Sequence, residues 1–367
     1  MDNNYDLVFH LVGKQQIPNL LGIQNITSKK HIFIHTKEYN KTYCQQLLNL
    51  DYKFDTILVD AYNINNIKEN IEKYLQNNQN KKIAFNLTSG TKIMGFAVYD
   101  ICNKYNSDAY YFDTQNRKLL CINKSVMYDI KTIDKLDTFL DLGKEIYSIC
   151  DKGRSNISDK HKSMARLLFK YSNDTKKVIE KYKSINKNNS SDSFLSGAYN
   201  HINILEYKNR MNYKIKIENV ICEYKDIDFI QYMNGLWFEE YIFTIVDEYR
   251  KKHKHKNIYD LRTGIKLISQ KSNDFFHELD VVFTDGLNLY IIECKSGNTK
   301  HDHIEKIHSV TEQCGGLYAK PIFISIQMNK SIFLRYGEKN YFFGKDIENK
   351  LVKYLDKITN INNAYNA

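Results

Sequence analysis

Short apolar runs recur through the first third of the chain, with polar stretches of helical periodicity between them. Residues 7–12, 31–35, 56–59, 82–87 and 109–112 read as buried strands, and residues 41–50, 67–79 and 91–105 as the intervening helices. Such alternation predicts an α/β, Rossmann-like domain with a doubly wound sheet over residues 1–150. A helix at 164–185, a polar loop or hinge at 186–193 (NKNNSSDS) and a strand at 214–221 follow, and define a connector over 151–231. From 232 to 367 the pattern changes again. An apolar helix at 234–246 precedes two strands facing each other across a turn within 276–297; a helix at 303–314 then ends at Gly315-Gly316, and Pro321 opens a further strand. A chain of 367 residues is long enough for two or three domains, each with its own core.

The two facing strands, FHELDVVFTDGLNLYIIECKSG, carry Glu278, Asp280, Glu293 and Lys295. Side chains two apart share a face of a strand, which groups Glu278 with Asp280 and Glu293 with Lys295. A two-residue turn at Asp285-Gly286 pairs Glu278 with Glu293, whereas a four-residue loop over 285–288 pairs Asp280 with Glu293. Both registers keep the acids on one face, and a slip of one residue separates them. Converging carboxylates repel one another unless a cation neutralises them, and hard ions such as Mg2+ or Mn2+ prefer carboxylate oxygen. Such an ion lowers the pKa of bound water and polarises a phosphate, while a nearby lysine offsets charge developing in the transition state. An isolated Glu-x-Lys is more commonly an exposed ion pair of little energetic weight, so the chemistry rests on the neighbouring elements. In the preceding helix, Glu239 and Glu240 interrupt NGLWFEEYIFTIV, a costly place for carboxylates that have neither exposure nor a use.

The order helix, strand, hairpin strand, helix, strand, with acid-x-acid followed by Glu-Cys-Lys, resembles the PD-(D/E)xK restriction-endonuclease-like core over roughly the last third of the chain. That resemblance implies a C-terminal restriction-endonuclease-like α/β domain. In it Asp280 and Glu293 would ligate a metal, Lys295 would be the catalytic lysine, and Glu239 would add an acid from the helix. Glu278, a further candidate ligand, and Glu240 each sit beside the position that the family pattern favours.

Open α/β sheets bind ligands beyond the carboxyl ends of their strands. Two such ends stand out, VGKQQIPNLL over 12–21 and NLTSGTKIM over 86–94. Small residues ahead of a helix expose backbone N–H groups to an anion, and Lys92 adds charge. Neither stretch is a G-x-G-x-x-G fingerprint or a Walker A loop, which weighs against dinucleotide redox chemistry and NTP hydrolysis. Residues 88–91 would also serve simply as a helix N-cap. Together, the polar loop at 13–19 and the T-S-G-T-K turn at 88–92 resemble the CARF domain, the sensor of cyclic oligoadenylate in type III CRISPR systems, with Ser89 where many members carry glycine. The resemblance implies ligand-binding roles for Gly13, Lys14, Gln15, Asn19, Thr88, Ser89, Gly90, Thr91 and Lys92.

A CARF domain followed by a PD-(D/E)xK domain looks like the CRISPR ancillary nucleases of the Card/Can type. By that likeness the protein is a homodimer with cyclic tetraadenylate lying across its two-fold axis as allosteric activator. It is then an endonuclease dependent on Mn2+ or Mg2+, acting on single-stranded RNA or DNA and nicking duplex DNA. A cyclic ligand of two-fold symmetry suits an isologous interface on general grounds.

A formal charge of +10 suits a polyanionic partner, and KKHKHK at 251–256 suits either a phosphate backbone or the dipole at a helix C-terminus. Seven scattered cysteines with no C-x-x-C pair are expected as reduced thiols of a cytoplasmic protein. No window approaches the roughly 18 apolar residues that span a bilayer, so no membrane partner is expected. Two other readings compete: a stand-alone restriction or repair endonuclease, and a nucleotide-sensing, DNA-binding transcriptional regulator without catalysis. The T-S-G-T-K turn weighs against the first and the Glu-Cys-Lys hairpin against the second.

Overall fold

The computed structural model describes residues 4–39, 44, 54–142, 146–188, 197–207, 212–254, 257–297, 299–327, 329–336 and 340–359. Five parallel strands build the N-terminal sheet: β1 (Tyr5–Leu11), β2 (Ser28–His35), β3 (Phe54–Leu58), β4 (Ile83–Asn86) and β5 (Asp108–Asp113). The antiparallel pair β6 (Lys118–Cys121) and β7 (Val126–Asp129), absent from the sequence reading, extends it to the order β3-β2-β1-β4-β5-β6-β7. The order reverses between β1 and β4, which opens a crevice beyond their carboxyl ends. The Ile64–Gln76 helix buries Ile67, Ile71 and Leu75 at four-residue spacing and is capped by Asn63, whose side chain accepts from Asn66 N–H at 3.0 Å. The Lys92–Lys104 helix buries Met94, Ala97, Val98, Ile101 and Cys102. A further helix, Ile17–Asn25, occupies part of the stretch read from sequence as a polar loop; Pro18 sits in its first turn, where a missing N–H costs nothing. Apart from residue 44, the helix expected at 41–50 lies outside the described residues.

Strand β8 (Tyr147–Asp151) straddles residue 150 and pairs with a strand of the C-terminal sheet. The single helix expected at 164–185 is two, Asp159–Lys170 and Ser172–Asn188, with Tyr171 between them; residues 189–193 of the expected loop lie outside the described residues. In place of one strand at 214–221 there is a hairpin with Glu218 in the left-handed region, φ +50°. Its arms β11 (Asn212–Ile217) and β12 (Val220–Lys225) join β9 (Gly197–Tyr199) and β10 (Ile202–Tyr207) in an antiparallel sheet.

The C-terminal sheet runs β17-β16-β15-β14-β13-β8. It is built from β13 (Leu261–Ser269), β14 (Phe275–Thr284), β15 (Leu289–Lys295), β16 (Ala319–Ser325) and β17 (Tyr341–Phe343), antiparallel up to β15 and parallel beyond. The Trp237–Lys252 and Ile347–Thr359 helices share one core with Val281, Phe283 and Ile292. Ile304, Ile307 and Val310 of the His301–Gly315 helix enter another core with Val282 and Ile291. That second core continues into the N-terminal domain through Tyr5, Val8, Leu20 and Leu21.

Candidate functional site

Pairs Val281–Ile292, Val282–Ile291, Phe283–Tyr290 and Thr284–Leu289 set β14 against β15 in the register of the four-residue loop. One residue further on, this register faces Asp280 toward Glu293 and leaves Glu278 unmatched with it. The turn's own chemistry selects it: Asp285 accepts from the N–H groups of Leu287 and Asn288 at 2.9 and 2.7 Å, and Gly286 takes φ +89°. Asp280 Oδ2 then accepts Cys294 N–H at 2.7 Å and ties the strands beyond their last ladder pair. Opposite Asp280, Gly264 has φ +71°, and Leu279 and Val281 on either side of Asp280 enter different cores.

Lys295 Nζ contacts Glu293 Oε1, and His277 Nε2 lies 3.6 Å from Glu293 Oε2. A π-helical turn at Tyr232–Leu236 leads into the Trp237–Lys252 helix, and Glu239 from its first turn has an enclosed Oε2 with no hydrogen-bond partner. Glu240 is instead fully buried against Arg154 Nη1 at 2.8 Å and His161 Nδ1 at 3.3 Å. His277, which the sequence reading passed over, stands one residue before Glu278; its place beside the acid-x-acid strand is visible in the sequence, but its burial and its approach to Glu293 are set across the fold.

Near the N-terminal crevice, Gly13, Lys14, Gln15, Thr88, Ser89 and Gly90 line an open cleft of about 560 Å³. The two loops touch: a Cβ on Gly13 would lie 2.9 Å from Gly90 N, and Ser89 Oγ donates to the Gln15 carbonyl at 3.5 Å. Three residues expected here do not line the cleft. Asn19 is buried and donates to the Leu11 carbonyl at 2.8 Å. Thr91 caps the Lys92–Lys104 helix, accepting from Met94 N–H at 3.1 Å and donating to the Ala61 carbonyl at 3.0 Å, and Lys92 is exposed on that helix's first turn.

The Card1 CARF domain family model matches residues 7–137, and the Card1-like endonuclease domain family model matches residues 226–360. The chain is a CARF–endonuclease protein of the Card1 type. Can2 from Sulfobacillus thermosulfidooxidans, solved in complex with cyclic tetra-adenylate, is 18% identical with a TM-score of 0.74, over 96% of this chain and 99% of that one. Protein VC1899 from Vibrio cholerae is 15% identical with a TM-score of 0.75, over 97% and 98%. A type III CRISPR defence DNA nuclease activated by cyclic oligoadenylate is 14% identical with a TM-score of 0.55, over 89% of this chain and 47% of that one. At these identities the likeness is one of fold. No curated protein matches the chain.

Within the endonuclease domain the electrostatics are those of an acid cluster short of positive charge. Burial, and then the Glu278 and Glu293 carboxylates, push Glu239 up to about 7 against the pull of Lys295 and Arg154. Burial and the neighbouring Glu293 and Glu239 raise Asp280 well above the carboxylate range. At Glu293 burial opposes ionisation, but His277 and Lys295 outweigh it and hold the group below its ordinary value. Among the described residues no three His, Cys, Asp or Glu side chains are already arranged around a metal position. The donor set nevertheless fits a hard divalent cation: it is all carboxylate oxygen, it is largely enclosed, and Glu239 Oε2 has no hydrogen-bond partner among the described residues. Among the described residues no helix is long and apolar enough to cross a membrane.

Proposed function

We propose that this protein is a cyclic-oligoadenylate-activated, metal-dependent endonuclease of type III CRISPR defence. Cyclic tetraadenylate is the activator, single-stranded RNA or DNA the substrate, and a homodimer the working form. The carrying observation is that the β14–β15 register faces Asp280 toward Glu293, beside Lys295 and a Glu239 Oε2 that has no hydrogen-bond partner among the described residues, in a chain that also holds a CARF cleft. The functional division assigns residues 1–150 to the sensor, 151–231 to the connector and 232–367 to the nuclease, with β8 crossing into the nuclease sheet.

Asp280 and Glu293 would hold Mn2+ or Mg2+, with Glu239 and Glu278 as further acids. A bound ion of this kind activates water toward a phosphodiester and polarises its phosphoryl group. Lys295, whose ammonium lies at Glu293, would donate to a phosphoryl oxygen as negative charge builds there. His277 Nε2 lies 3.6 Å from the other Glu293 oxygen, and the Cys294 N–H fixes the Asp280 carboxylate. Burial of Asp280 and Glu293 limits bulk water, which strengthens each of these interactions. The cyclic tetra-adenylate bound by Can2, a protein of the same fold along nearly its whole length, supports the choice of activator.

The test is to incubate labelled single-stranded RNA and DNA with the protein, Mn2+ and cyclic tri-, tetra- or hexaadenylate in turn. Cleavage is expected with the tetramer and is lost on chelation of the metal. Absence of cleavage that depends on any cyclic oligoadenylate would overturn the proposal.

A further inference from the structure

One wall of the CARF cleft comes from the endonuclease domain. Asn288, Leu317, Tyr318 and Lys320 line it, and all four fall within residues 226–360. The contact is a built one. Leu317 N–H donates to Gln15 Oε1 at 3.1 Å, and Gly316, φ +55°, packs so closely that a Cβ there would lie 2.5 Å from the same oxygen. Lys14 Nζ lies 3.6 Å from Glu312, and Tyr318 hydrogen-bonds Thr114, a CARF residue of the same cleft. Lys320 spends one of its three N–H donors on the Leu317 carbonyl at 2.7 Å. At the rim, the Leu317 side chain is 73% exposed, an apolar surface suited to the face of a base.

These wall residues stand at the start of β15, which carries Glu293 and Lys295, and at the start of β16, its parallel neighbour. Asn288 immediately precedes β15, and Lys320 is the second residue of β16, paired with Tyr290. Glu293 lies five residues beyond Asn288, about 16 Å along an extended strand. We propose that the endonuclease domain is itself part of the ligand receptor, with Lys320 meeting a phosphodiester of the cyclic oligonucleotide and Leu317 packing on a base. Occupancy of the cleft is then felt directly at the amino ends of β15 and β16. The inference rests on the cyclic-oligoadenylate reading of the cleft.

Binding of fluorescent cyclic tetraadenylate to the full chain, followed by anisotropy, tests it. Lys320→Ala is expected to raise Kd about tenfold, as for loss of one charge-assisted contact, and Lys320→Arg to restore most of the affinity. Because the Lys320 ammonium also holds the Leu317 carbonyl, urea midpoints equal to wild type in both variants separate loss of a ligand contact from loss of that wall contact. Leu317→Asp changes an exposed position, leaves the core intact, and is expected to weaken binding by a similar factor. Kd values within twofold of wild type for both Lys320→Ala and Leu317→Asp, with the wild type binding normally, overturn the inference. Failure of the wild type to bind any cyclic oligoadenylate overturns the functional reading itself, and the inference with it.

Discussion

Glu293 is the residue on which the proposed nuclease chemistry turns: it is buried with Lys295 on one oxygen and His277 near the other, and these two hold its carboxyl below the ordinary value. Glu293→Gln keeps the shape and removes the charge. It is expected to lower ligand-stimulated cleavage about 10³-fold in single-turnover assays while leaving the affinity for cyclic tetraadenylate unchanged. Lys295→Ala is expected to do the same. Wild-type rates in either variant would place the chemistry elsewhere. The acids were legible in the sequence because carboxylates stand out within apolar runs such as LYIIECK and WFEEYIF. The choice between Glu239 and Glu240 was not, since neighbours in sequence differ only in what meets them across the fold: Glu240 meets Arg154 and His161, 86 and 79 positions away. His277 was missed for the same reason.

At the level of the element, the 285–288 loop decides which acids face each other, and its chemistry reaches beyond the hairpin. Arg117 Nη2 lies 2.8 Å from Asp285 Oδ2 and its Nη1 donates to the Asp285 carbonyl at 2.8 Å, with side chains 9% and 1% exposed. Removing one partner of such a buried pair leaves the other uncompensated. Arg117→Ala is therefore expected to cost about 3 kcal/mol in urea unfolding. Asp285→Asn keeps an acceptor for the Leu287 and Asn288 N–H groups and is expected to cost less than Asp285→Ala, which forfeits the turn as well. The sequence left two registers open because Asp285-Gly286 suits either loop, and the tertiary partners of Asp285 lie outside any local window. The five parallel strands were legible as buried runs; β6, β7 and β9 were not, being only three or four residues long. The β11–β12 hairpin was read as one strand because its turn, Glu218-Asn219, lacks a glycine or proline.

On the scale of the whole molecule, CARF strands and nuclease helices share a hydrophobic core, so the two domains are expected to unfold in one transition, with calorimetric and spectroscopic midpoints coincident. Acid should undermine that unit. His10 and His31 are buried ring to ring at 2.9 Å; burial holds His31 down at about 4 and lowers His10 well below its ordinary value. Unfolded, both titrate near 6.5, so between about pH 6.5 and 4 the unfolded chain binds more protons. Their contribution is therefore complete above about pH 6.5 and declines as pH falls through that window, by about 3 kcal/mol for His31 alone. Asp247 acts in the same direction lower down: burial would raise it, but Lys162, Lys251 and Arg250 hold it at about 2. Urea titrations at a series of pH values across this range should show the decline; a flat profile would contradict it.

The anchoring of the hairpin turn also bears on how a switch can move. Besides the Arg117 pair, the Gly286 carbonyl accepts Ile133 N–H at 2.8 Å, and a Cβ on Gly286 would lie 2.5 Å from Thr132 Cβ. Rotation of one domain against the other within a chain would have to break a buried ion pair and open this packed seam together. That seam opposes a swing within one chain, so in the proposed homodimer a movement that brings two nuclease sites into a new relation is expected to pivot between chains.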